Sequence, residues 1–515
     1  MAAEIMPTAS LLALLAPVIL LLVGGLAALG SEPFLDRKAK HTWLPWVVAL
    51  AAVAGLVSLA WTPVGQVHGL LALDTARTWL VGAVLASTAI GIAGLQQSLS
   101  RDEFEGGEPY ALMAFAGVGA AIMVMAADLL ALFVGLEIAS LSIYALVGLR
   151  RDRLDSHEGL FKYFIMGAVF SAIFLYGLAM TYGATGSTAY GAPVIAGREK
   201  LLLLGHALVI LGLLFKVGAV PFHAWSPDAY TGAPVAVTGF MGSVVKVGGF
   251  AALGAIWLNA SATASGSHVG GVLPLDAAVT LTAQGAALLK PFSMIFLVLG
   301  LVSVVIGNFS ALRQVSIRRL VAFSSVAHAG YMLFALALPV LADQGTSTVQ
   351  LGSLWYYLVG YAVATAGALT AVAALSGKTD DGDQLHLLAG QGRTQPFYGL
   401  ILTIFVASFA GLPPTIGFLG KFLIFGDLVG KGYVVWAIVT MLLAIVGAAF
   451  YLKLLVSLWS AVGKEAASAG SSIMTRWTVA AAAIAVVVLM ACPDILTRPG
   501  MALAGPEPVK AAQAP

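Results

Sequence analysis

The stretch that decides the fold is residues 201–225, LLLLGHALVILGLLFKVGAVPFHAW. It begins with an apolar run long enough to form most of a membrane-spanning helix. Lys216 stands inside that run, and Gly218 and Pro221 follow it closely, so the helix is predicted to break beside a buried charge. An ionisable side chain at bilayer depth costs several kcal/mol and usually marks an ion or proton pathway. The same pattern of one charge in an apolar segment recurs in LFVGLEIASL with Glu137, MGSVVKVGGF with Lys246, and GLPPTIGFLGKFLIF with Lys421.

The composition predicts an all-α polytopic membrane protein. Of the 515 residues, 60% are hydrophobic and 10% are charged, whereas soluble domains carry about 25% charged residues. The formal net charge of +2 is small and the basic residues are scattered, which argues against a nucleic-acid-binding surface. Apolar runs of about 18 residues or more predict about 14 membrane spans. These runs begin near Ser10, Trp43, Thr78, Tyr110, Leu129, Leu160, Leu201, Pro234, Pro291, Ile317, Leu351, Pro396, Tyr433 and Met474.

The single cysteine, Cys492, bears on redox chemistry. One thiol cannot form an internal disulfide or hold an iron-sulfur cluster, so any redox centre is predicted to belong to a partner. The first apolar run follows MAAEIMPTAS, which contains Glu4 but no lysine or arginine. It therefore lacks the positive segment of a secretory signal and is predicted to remain as the first span.

The distribution of basic residues predicts the orientation in the membrane. If the first span starts outside, the connectors after odd-numbered spans carry about twice as many basic residues as the others, so this side should be cytoplasmic. Both termini are then non-cytoplasmic, and the stretch from Asn259 to Lys290 is an irregular connector on the outer side. The predicted cytoplasmic connectors contain Arg37, Lys38, Lys40, Arg101, Arg150, Arg151, Arg153, Arg313, Lys378, Arg393 and Lys464. The opposite connectors contain chiefly Arg77, Arg198, Lys200, Lys290 and Lys431.

Depth along each helix separates a functional charge from one that reaches the surface at a helix end. Glu137 is about 13 Å along its helix from Asp128, and Lys246 is about 18 Å from Pro234. His328 stands about halfway through SIRRLVAFSSVAHAGYMLFALAL. These three side chains are predicted to lie deep in the membrane, whereas Lys453, about 30 Å along its helix, should reach the inner surface.

Two spans, the seventh and the twelfth, are predicted to be broken. Lys216 precedes VGAVP in the seventh, and Lys421 follows GLPP in a twelfth segment that is too long for one simple helix. Because these spans run in opposite directions, Lys216 should lie toward the cytoplasm and Lys421 toward the outside. This pairing predicts two inverted five-helix repeats, at residues 110–257 (spans four to eight) and 291–460 (spans nine to thirteen), within one membrane domain at residues 1–515.

Each candidate also has a plain structural interpretation. Glu137 and Lys216 could form a structural ion pair, and a similar role is open to Lys246. His328 could be a hydrogen-bonded packing residue, and His223 could lie at the interface beside Trp225. Glu158 and Lys162, in HEGLFKYFIM, are four residues apart and can pair along one helix, which by itself is unspecific.

With these residues identified, the chain resembles the antiporter-like membrane subunits of respiratory complex I over nearly its whole length. The blocks that carry the resemblance are LFKVGAVPFHAWSPDAYTGAPVAVTGFMGSVVKVGGF, GLEIASLSIYALVGLRR, EGLFKYFIMGAVFSAIFLYG and FAGLPPTIGFLGKF. Within this family, the lysines at 246 and 421 favour the N branch over the L and M branches. The resemblance implies proton-translocating roles for Glu137, Lys216, Lys246 and Lys421, with His328, His223, Glu158 and Lys162 as accessory positions. No motif covers residues 259–290 or the tail after Pro499.

The resemblance implies a proton-translocating subunit without a cofactor of its own, in the inner membrane of a bacterium. NADH, FMN, iron-sulfur clusters and quinone would be bound by other subunits of a hetero-oligomer, and this chain would contact other membrane subunits and lipids. Burial favours a neutral lysine and a nearby carboxylate favours an ammonium, so movement of Glu137 relative to Lys216 would switch the lysine between holding and releasing a proton. Protons would pass from Lys216 through Lys246 and His328 to Lys421.

Two other functions remain open from the residues. A subunit of an Mrp-type sodium/proton antiporter would share the helical fold, but sodium calls for carboxylate and carbonyl ligands, whereas the buried charges are mostly lysines. A scaffold that only anchors partners in lipid would not need buried charges in both halves of the chain.

Overall fold

A computed structural model describes the chain apart from residues 1–7, 68, 102–103, 267–271, 341–347, 377–382, 462–471, 494–495 and 497–515. The first helices are α1 (Thr8–Ser31), α2 (Arg37–Ser58), α3 (Thr75–Arg101), α4 (Glu108–Met125), α5 (Leu129–Val147), α6 (Leu154–Thr185) and α7 (Glu199–Val217). The middle helices are α8 (Ser226–Gly232), α9 (Val235–Phe240), α10 (Lys246–Ala264), α11 (Ala283–Leu312) and α12 (Ile317–Ala337). The last are α13 (Gly352–Leu375), α14 (Gln391–Thr394), α15 (Pro396–Ala410), α16 (Ile416–Gly430), α17 (Val434–Leu458) and α18 (Ile473–Ala491).

The predicted number of membrane spans and their helical structure are confirmed. Among the described residues, 13 helical segments are long and apolar enough to cross a membrane. One of them, residues 235–264, runs through α9 and α10 without a gap. The predicted twelfth span is divided into α15 and α16, each of 15 residues, and neither is long enough to cross alone. The chain is a multi-pass membrane protein built from helices.

Two helix breaks occur where the sequence predicts them. Helix α7 ends at Gly218, with a φ of 69°, and α15 ends at Gly411, with a φ of 78°. Glycine is favoured at both positions because a side chain would strain this left-handed backbone. A cis peptide bond follows each break, at Val220–Pro221 and at Pro413–Pro414.

Three helices form the centre of the molecule. Every residue of α13 is buried, and the span through α9 and α10 is buried along its whole apolar stretch. Helix α12 is almost as enclosed, while α6 and α17 leave most of their surfaces exposed. The lipid-exposed helices therefore surround a protein-filled centre, and a polar group on α10 or α12 is surrounded by protein.

A feature absent from the sequence predictions interrupts the eighth span. Residues Met241–Val245 form one turn of π-helix between α9 and α10. Such turns are rare and often occur at functional sites, because the extra residue displaces the backbone hydrogen bonds. Lys246 follows this turn directly.

The predicted outer connector from Asn259 to Lys290 is only partly irregular. Asn259 lies inside α10 and Lys290 lies inside α11, which begins eight residues before the predicted span start at Pro291. The connectors also contain short strands, which the all-α prediction does not include. Two short antiparallel pairs occur in the described residues: β1 (Gly65–Val67) with β2 (Leu71–Leu73), and β3 (Val279–Thr280) with β4 (Thr348–Val349).

Arg77, predicted to lie in an outer connector, is instead fully buried at the start of α3. Its Nη1 donates to the Asp74 carboxylate and, at 3.3 Å, to the carbonyl of Leu273. The Asp74 carboxylate also accepts from the backbone N–H of Leu275 at 3.2 Å. This ion pair therefore fastens the connector to α3, and its burial explains why counting it as a surface charge was wrong.

Asp276 generates a pH-dependent prediction because it lies in this connector, outside the spans. Burial raises its pKa to about 6, and the nearby Asp74 carboxylate adds to the rise. A carboxyl whose pKa is higher in the folded than in the unfolded state destabilises the fold fully above the folded pKa. The penalty shrinks as the pH falls below that value and is lost near the unfolded pKa of 3.8. Asp276→Asn should therefore slow hydrogen exchange of the 272–281 amides at about pH 8 and have a much smaller effect at about pH 4.

The comparison with wild type is made at equal pH, which cancels the intrinsic dependence of exchange on pH. Asp276→Glu, which keeps the carboxyl group, should keep the wild-type pH dependence. A difference between Asp276→Asn and wild type that is the same at both pH values would contradict the prediction.

Candidate functional site

Four of the predicted site residues are removed from solvent and lipid. Lys216, Lys246 and His328 are each 3% exposed, and Lys421 is 7% exposed. A charged group this deeply buried is tolerated only where protein atoms replace its hydration. The contacts of each side chain therefore show how the site is built.

Lys216, in the last turn of α7, is surrounded by hydroxyl groups and aromatic rings. Its Nζ donates to Ser140 Oγ at 2.6 Å and to Tyr163 Oη at 3.2 Å. It also lies 5.8 Å and 5.4 Å from the ring centroids of Tyr144 and Tyr163. Hydrogen bonds and cation–π contacts of this kind stabilise an ammonium group without bulk water.

Glu137 lies on α5, one turn before Ser140. The Asp128 carboxylate fixes the start of this helix, since it accepts from the backbone N–H groups of Leu130 and Ala131. The Glu137 side chain is half-buried, and its carboxylate accepts from Ser171 Oγ of α6 at 2.6 Å. It is therefore the least enclosed of the predicted charges.

Glu137 and Lys216 are not in direct contact. A serine holds each of them instead: Ser171 binds the carboxylate, and Ser140 binds the ammonium. A small cavity lies beside Lys216, with Ser171, Phe170 and Lys216 in its wall. The structure thus presents the predicted pair in a separated state.

A second small cavity lies between α7 and α10. Both Lys216 and Lys246 line it, together with Tyr230, Ser226 and Ser325. Lys216 belongs to the walls of both cavities, so its side chain lies between the α5–α6 side and the central helices.

Lys246 lies against the end of a broken helix. Its Nζ donates at 3.1 Å to the carbonyl of Val217, the last residue of α7, and it also donates to the carbonyl of Ser325 on α12. The ring centroid of Tyr361 is 5.9 Å away. The break after α7 frees this carbonyl, and the negative end of the helix dipole favours a cation there.

Lys421, on α16, repeats this arrangement at the other break. Its Nζ donates to the carbonyls of Phe409 at 2.7 Å and Ala410 at 3.3 Å, which are the last two residues of α15. It also lies 5.2 Å from the ring centroid of Tyr331. A side chain at Gly411 would have its Cβ 2.9 Å from Lys421 Cδ, so this glycine leaves room for the lysine as well as ending the helix.

His328, on α12, contacts tyrosines and not lysines. Its Nδ1 is 2.5 Å from Tyr357 Oη, and its Nε2 is 3.0 Å from Tyr451 Oη. The rings of Tyr331 and Tyr361 also pack against it, at centroid distances of 6.0 Å and 4.9 Å. The histidine is therefore placed between the helices that carry Lys246 and Lys421, without bonding to either lysine.

The other predicted accessory residues lie away from the line formed by Lys216, Lys246, His328 and Lys421. Lys162 pairs with Glu158 at 2.5 Å, as their spacing indicates, and also with Asp228 of α8 at 2.6 Å. Arg319 of α12 binds the same Asp228 at 3.1 Å. The result is a partly exposed ion cluster that joins α6, α8 and α12. His223 lies in the break between α7 and α8, and its ring has no hydrogen bond to Lys216 or Glu137.

Sequence reasoning missed the neutral members of the site. Ser140 could have been found, because it lies three residues after Glu137 and so on the same helix face. Asp228 follows the break in the seventh span, within the quoted PFHAWSPDAY segment. The tyrosines carry no such signal, since an aromatic residue in an apolar helix is usually a packing residue. Among the described residues, no group of three or more His, Cys, Asp or Glu side chains is placed so that it could bind a metal.

Comparison with known proteins gives consistent matches. A family model described as NADH:quinone oxidoreductase/Mrp antiporter, transmembrane, matches residues 126–269 and 257–447. NADH-quinone oxidoreductase subunit N of Trichlorobacter lovleyi is 33% identical, over 87% of this chain and 88% of the relative. The protein of the same name from Myxococcus xanthus is 34% identical, over 93% of this chain and 94% of the relative.

Two solved structures illustrate the range of the fold. A chain of respiratory complex I from Thermus thermophilus is 30% identical, with a TM-score of 0.75, and the match covers 95% of this chain and all of that one. A chain of the Mrp complex from Dietzia has a TM-score of 0.76 over 95% of this chain and 96% of that one. Its identity is 18%, so this second likeness concerns the fold alone.

The packing of α4 against α5 generates a prediction about stability. A Cβ at Gly119 would lie 2.4 Å from the backbone N of Ala139 and 2.6 Å from the carbonyl of Gly135. These backbone atoms can move only if α5 moves as a whole. Gly119→Ala should therefore push α5 away from α4 and destabilise the protein by about 1–3 kcal/mol. Thermal unfolding of the purified complex, with assembly checked on a native gel, measures the effect.

Gly426→Ala provides the matched control. Gly426 lies inside α16, and a Cβ there would meet no atom within 4 Å. Alanine is the better helix former, so this variant should be as stable as wild type or slightly more so. Equal unfolding temperatures for the two variants would show that α4 and α5 are not held at this distance.

Proposed function

This chain belongs to the NADH:quinone oxidoreductase/Mrp antiporter family of membrane proteins, and on that premise we propose that it is a proton-translocating subunit, of the N type, of an NADH-quinone oxidoreductase. The observation that carries the proposal is the row of buried lysines. Each ammonium group is solvated by protein oxygens beside a cavity or a helix break. An anchoring protein has no need of such groups, because each lowers its stability in the membrane.

The first step is assigned to Glu137 and Lys216. In the separated state, Ser140 and Tyr163 surround the lysine, and burial favours loss of its proton. Approach of Glu137 to the lysine would favour the ammonium instead. Glu137 and Ser140 lie on one face of α5, so a small displacement of the Lys216 side chain exchanges one partner for the other. Alternation between these states loads and releases a proton.

Later steps are assigned to Lys246, His328 and Lys421, in that order. The cavity between Lys216 and Lys246 has Ser226, Tyr230 and Ser325 in its wall and room for about one water molecule, which would carry a proton between them. Lys246 and Lys421 each hold a proton at the negative end of a broken helix, where backbone carbonyls stabilise the ammonium form. Moving one charge against 100 mV takes about 2.3 kcal/mol, so the two ends of the path must not be open together.

Two inverted repeats, residues 110–257 and 291–460, are proposed as the architecture that supplies the two half-channels. The fourth helical unit of each proposed repeat is the broken one: α7 with α8, and α15 with α16. In each, a glycine with positive φ ends the first half, and a carbonyl released there accepts from a lysine of another helix. These shared features support the repeat, and residues 1–515 would form one membrane domain around it.

The cofactors are assigned to partner subunits. NADH, FMN, iron-sulfur clusters and quinone would be bound elsewhere in the hetero-oligomer, and quinone reduction there would drive the proton path. The half-exposed Glu137 supports the presence of a neighbouring membrane subunit, because a carboxylate facing lipid would be costly. The proposed location is the inner membrane of a bacterium, with both termini on the non-cytoplasmic side.

An Mrp-type antiporter subunit is the less supported function. The relatives from Trichlorobacter lovleyi and Myxococcus xanthus, at 33% and 34% identity, are named subunit N, whereas the Mrp chain is 18% identical. No group of carboxylates suited to a cation occurs in the described residues.

Loss of either member of the first pair should abolish coupling. In the assembled complex, reconstituted in vesicles, Lys216→Ala or Glu137→Ala should remove most lumen acidification during NADH oxidation, because the proton has no switchable site. Lys453→Ala is the control, since Lys453 is exposed at the end of α17 and donates only to the Gln314 carbonyl, at 3.4 Å. Undiminished acidification in the Lys216 and Glu137 variants would refute the proposed function.

The serine that holds Lys216 should affect the rate. Ser140→Ala removes a hydrogen bond to a charged group, typically about 1.5–3 kcal/mol, so proton-coupled NADH oxidation should slow by roughly 10- to 100-fold. Ser142→Ala is the matched control, because Ser142 lies on the same helix and donates only to the Ile138 carbonyl. If both variants turn over at the same rate, Ser140 does not tune the pair.

A further inference from the structure

A line of hydrogen-bonding side chains passes through His328 toward the Ile317 end of α12. The proposed path through the lysines shares His328 with this line but none of its other members. Tyr357 of α13 contacts Nδ1 at 2.5 Å, and Tyr451 of α17 contacts Nε2 at 3.0 Å. Tyr451 Oη is in turn 2.5 Å from Ser324 Oγ of α12. Four side chains from three helices thus form one continuous row of hydrogen bonds, and all four are buried.

The donor and acceptor properties of these groups match along the row. A neutral imidazole has one N–H donor and one acceptor nitrogen, and a hydroxyl group can act as both donor and acceptor. One tautomer of His328 donates to Tyr357 and accepts from Tyr451, and the other tautomer reverses both bonds. The row can therefore exist in two fully bonded states that differ only in the positions of hydrogens.

Ser324 makes a contact between helices in place of a bond within its own helix. Ser142, Ser243 and Ser261 each donate to a carbonyl one turn earlier in their own helix, a common bond of a helical serine. The hydroxyl of Ser324 is instead paired with Tyr451 of α17. Its hydroxyl therefore belongs to the row.

The two ends of the row reach different places. Ser324 lies about 10 Å along α12 from Ile317, at the helix end predicted to face the cytoplasm. The Tyr357 ring packs against Gly420, where an added Cβ would lie 2.4 Å from it, and Gly420 immediately precedes Lys421. Phe409, whose carbonyl accepts from Lys421, also packs against His328 at a centroid distance of 5.8 Å.

We propose that Ser324, Tyr451, His328 and Tyr357 form a proton wire that supplies Lys421 from the Ile317 end of α12, separately from Lys216 and Lys246. This rests on the proposed proton-translocating function and adds a second inlet to it. The Glu137–Lys216 pair still controls release from Lys421, so pumping requires both the pair and the wire. Tyr451 and Tyr357 are then relay residues and not packing aromatics.

The transfer conserves protons and leaves no charge on the wire. A proton enters at Ser324 Oγ as the Ser324 proton passes to Tyr451 Oη and the Tyr451 proton passes to His328 Nε2. The Nδ1 proton passes to Tyr357 Oη, and the Tyr357 proton leaves toward the neutral amine of Lys421. One proton has entered and one has left, and the imidazole has changed tautomer. Rotation of the hydroxyls and a turn of the imidazole ring restore the first state.

The test uses the assembled complex in vesicles and compares protons pumped per NADH oxidised. Tyr451→Phe keeps the ring and removes the hydroxyl, so proton pumping should fall by about tenfold. That is less than the roughly 10²-fold effect of a positioned acid or base, because water can partly replace the hydroxyl. Tyr356→Phe is the control, since it removes a tyrosine hydroxyl on α13 that donates only to the Leu489 carbonyl.

A second pair of variants addresses any failure of Tyr451→Phe to assemble. Ser324→Ala should reduce pumping to a similar extent, and Ser324→Thr, which keeps the hydroxyl, should restore it. The solvent deuterium isotope effect on pumping should decrease in the alanine variant, because fewer protons move in the wire. A loss caused by altered packing alone would not be restored by threonine in this way.

The outcomes separate the wire from the proposed function. If Lys216→Ala stops pumping while Tyr451→Phe and Ser324→Ala pump like wild type, the wire is refuted and the proposed function stands. Equal losses in Ser324→Ala and Ser324→Thr would also refute the wire. If Lys216→Ala pumps normally, the proposed function itself fails.

Discussion

A lysine ammonium inside a membrane protein must receive from the protein the oxygen atoms that water would otherwise supply. In this chain the three buried lysines meet that requirement in two ways. Lys216 uses side-chain hydroxyls, and Lys246 and Lys421 use backbone carbonyls released at helix breaks. An unbroken helix offers few such carbonyls, because most are already bonded within the helix, and Lys246 has one of them, at Ser325 of α12, in addition to the carbonyl of Val217 at the break. The breaks after α7 and α15 are therefore the condition on which the rest of the site depends.

The same condition explains the central helices. Lys246 reaches the end of α7 only because α10 lies against that end, and it also meets α12 through the carbonyl of Ser325. The π turn at Met241–Val245 immediately precedes it. Enclosure of α10, α12 and α13 by the outer helices keeps lipid away from these polar contacts. Burying a polar group usually costs free energy, and here the cost is reduced because the polar groups lie where helices end or meet and can form hydrogen bonds.

Neutral groups connect the charges. Serines hold Glu137 and Lys216 apart, and tyrosines surround His328. A hydroxyl group stabilises a neighbouring charge without carrying one, so it adds little to the electrostatic penalty of burial. An arrangement of charges separated by hydroxyls and small cavities allows a proton to move while the total charge in the membrane stays low.

The sequence by itself determined the helical fold, the number of spans, the two breaks and the positions of the four charges along their helices. These properties are local: apolar length, the backbone limits of glycine and proline, and the rise per residue of a helix decide them. Tertiary structure alone decided the contacts. Glu137 and Lys216 are apart, Arg77 is buried in an ion pair, and Tyr451 of α17 meets Ser324 of α12, because helix packing places residues far apart in the chain beside one another. A tyrosine in an apolar helix gives the same sequence pattern whether it is a packing residue or a proton relay, because only its neighbours in the fold distinguish these two roles.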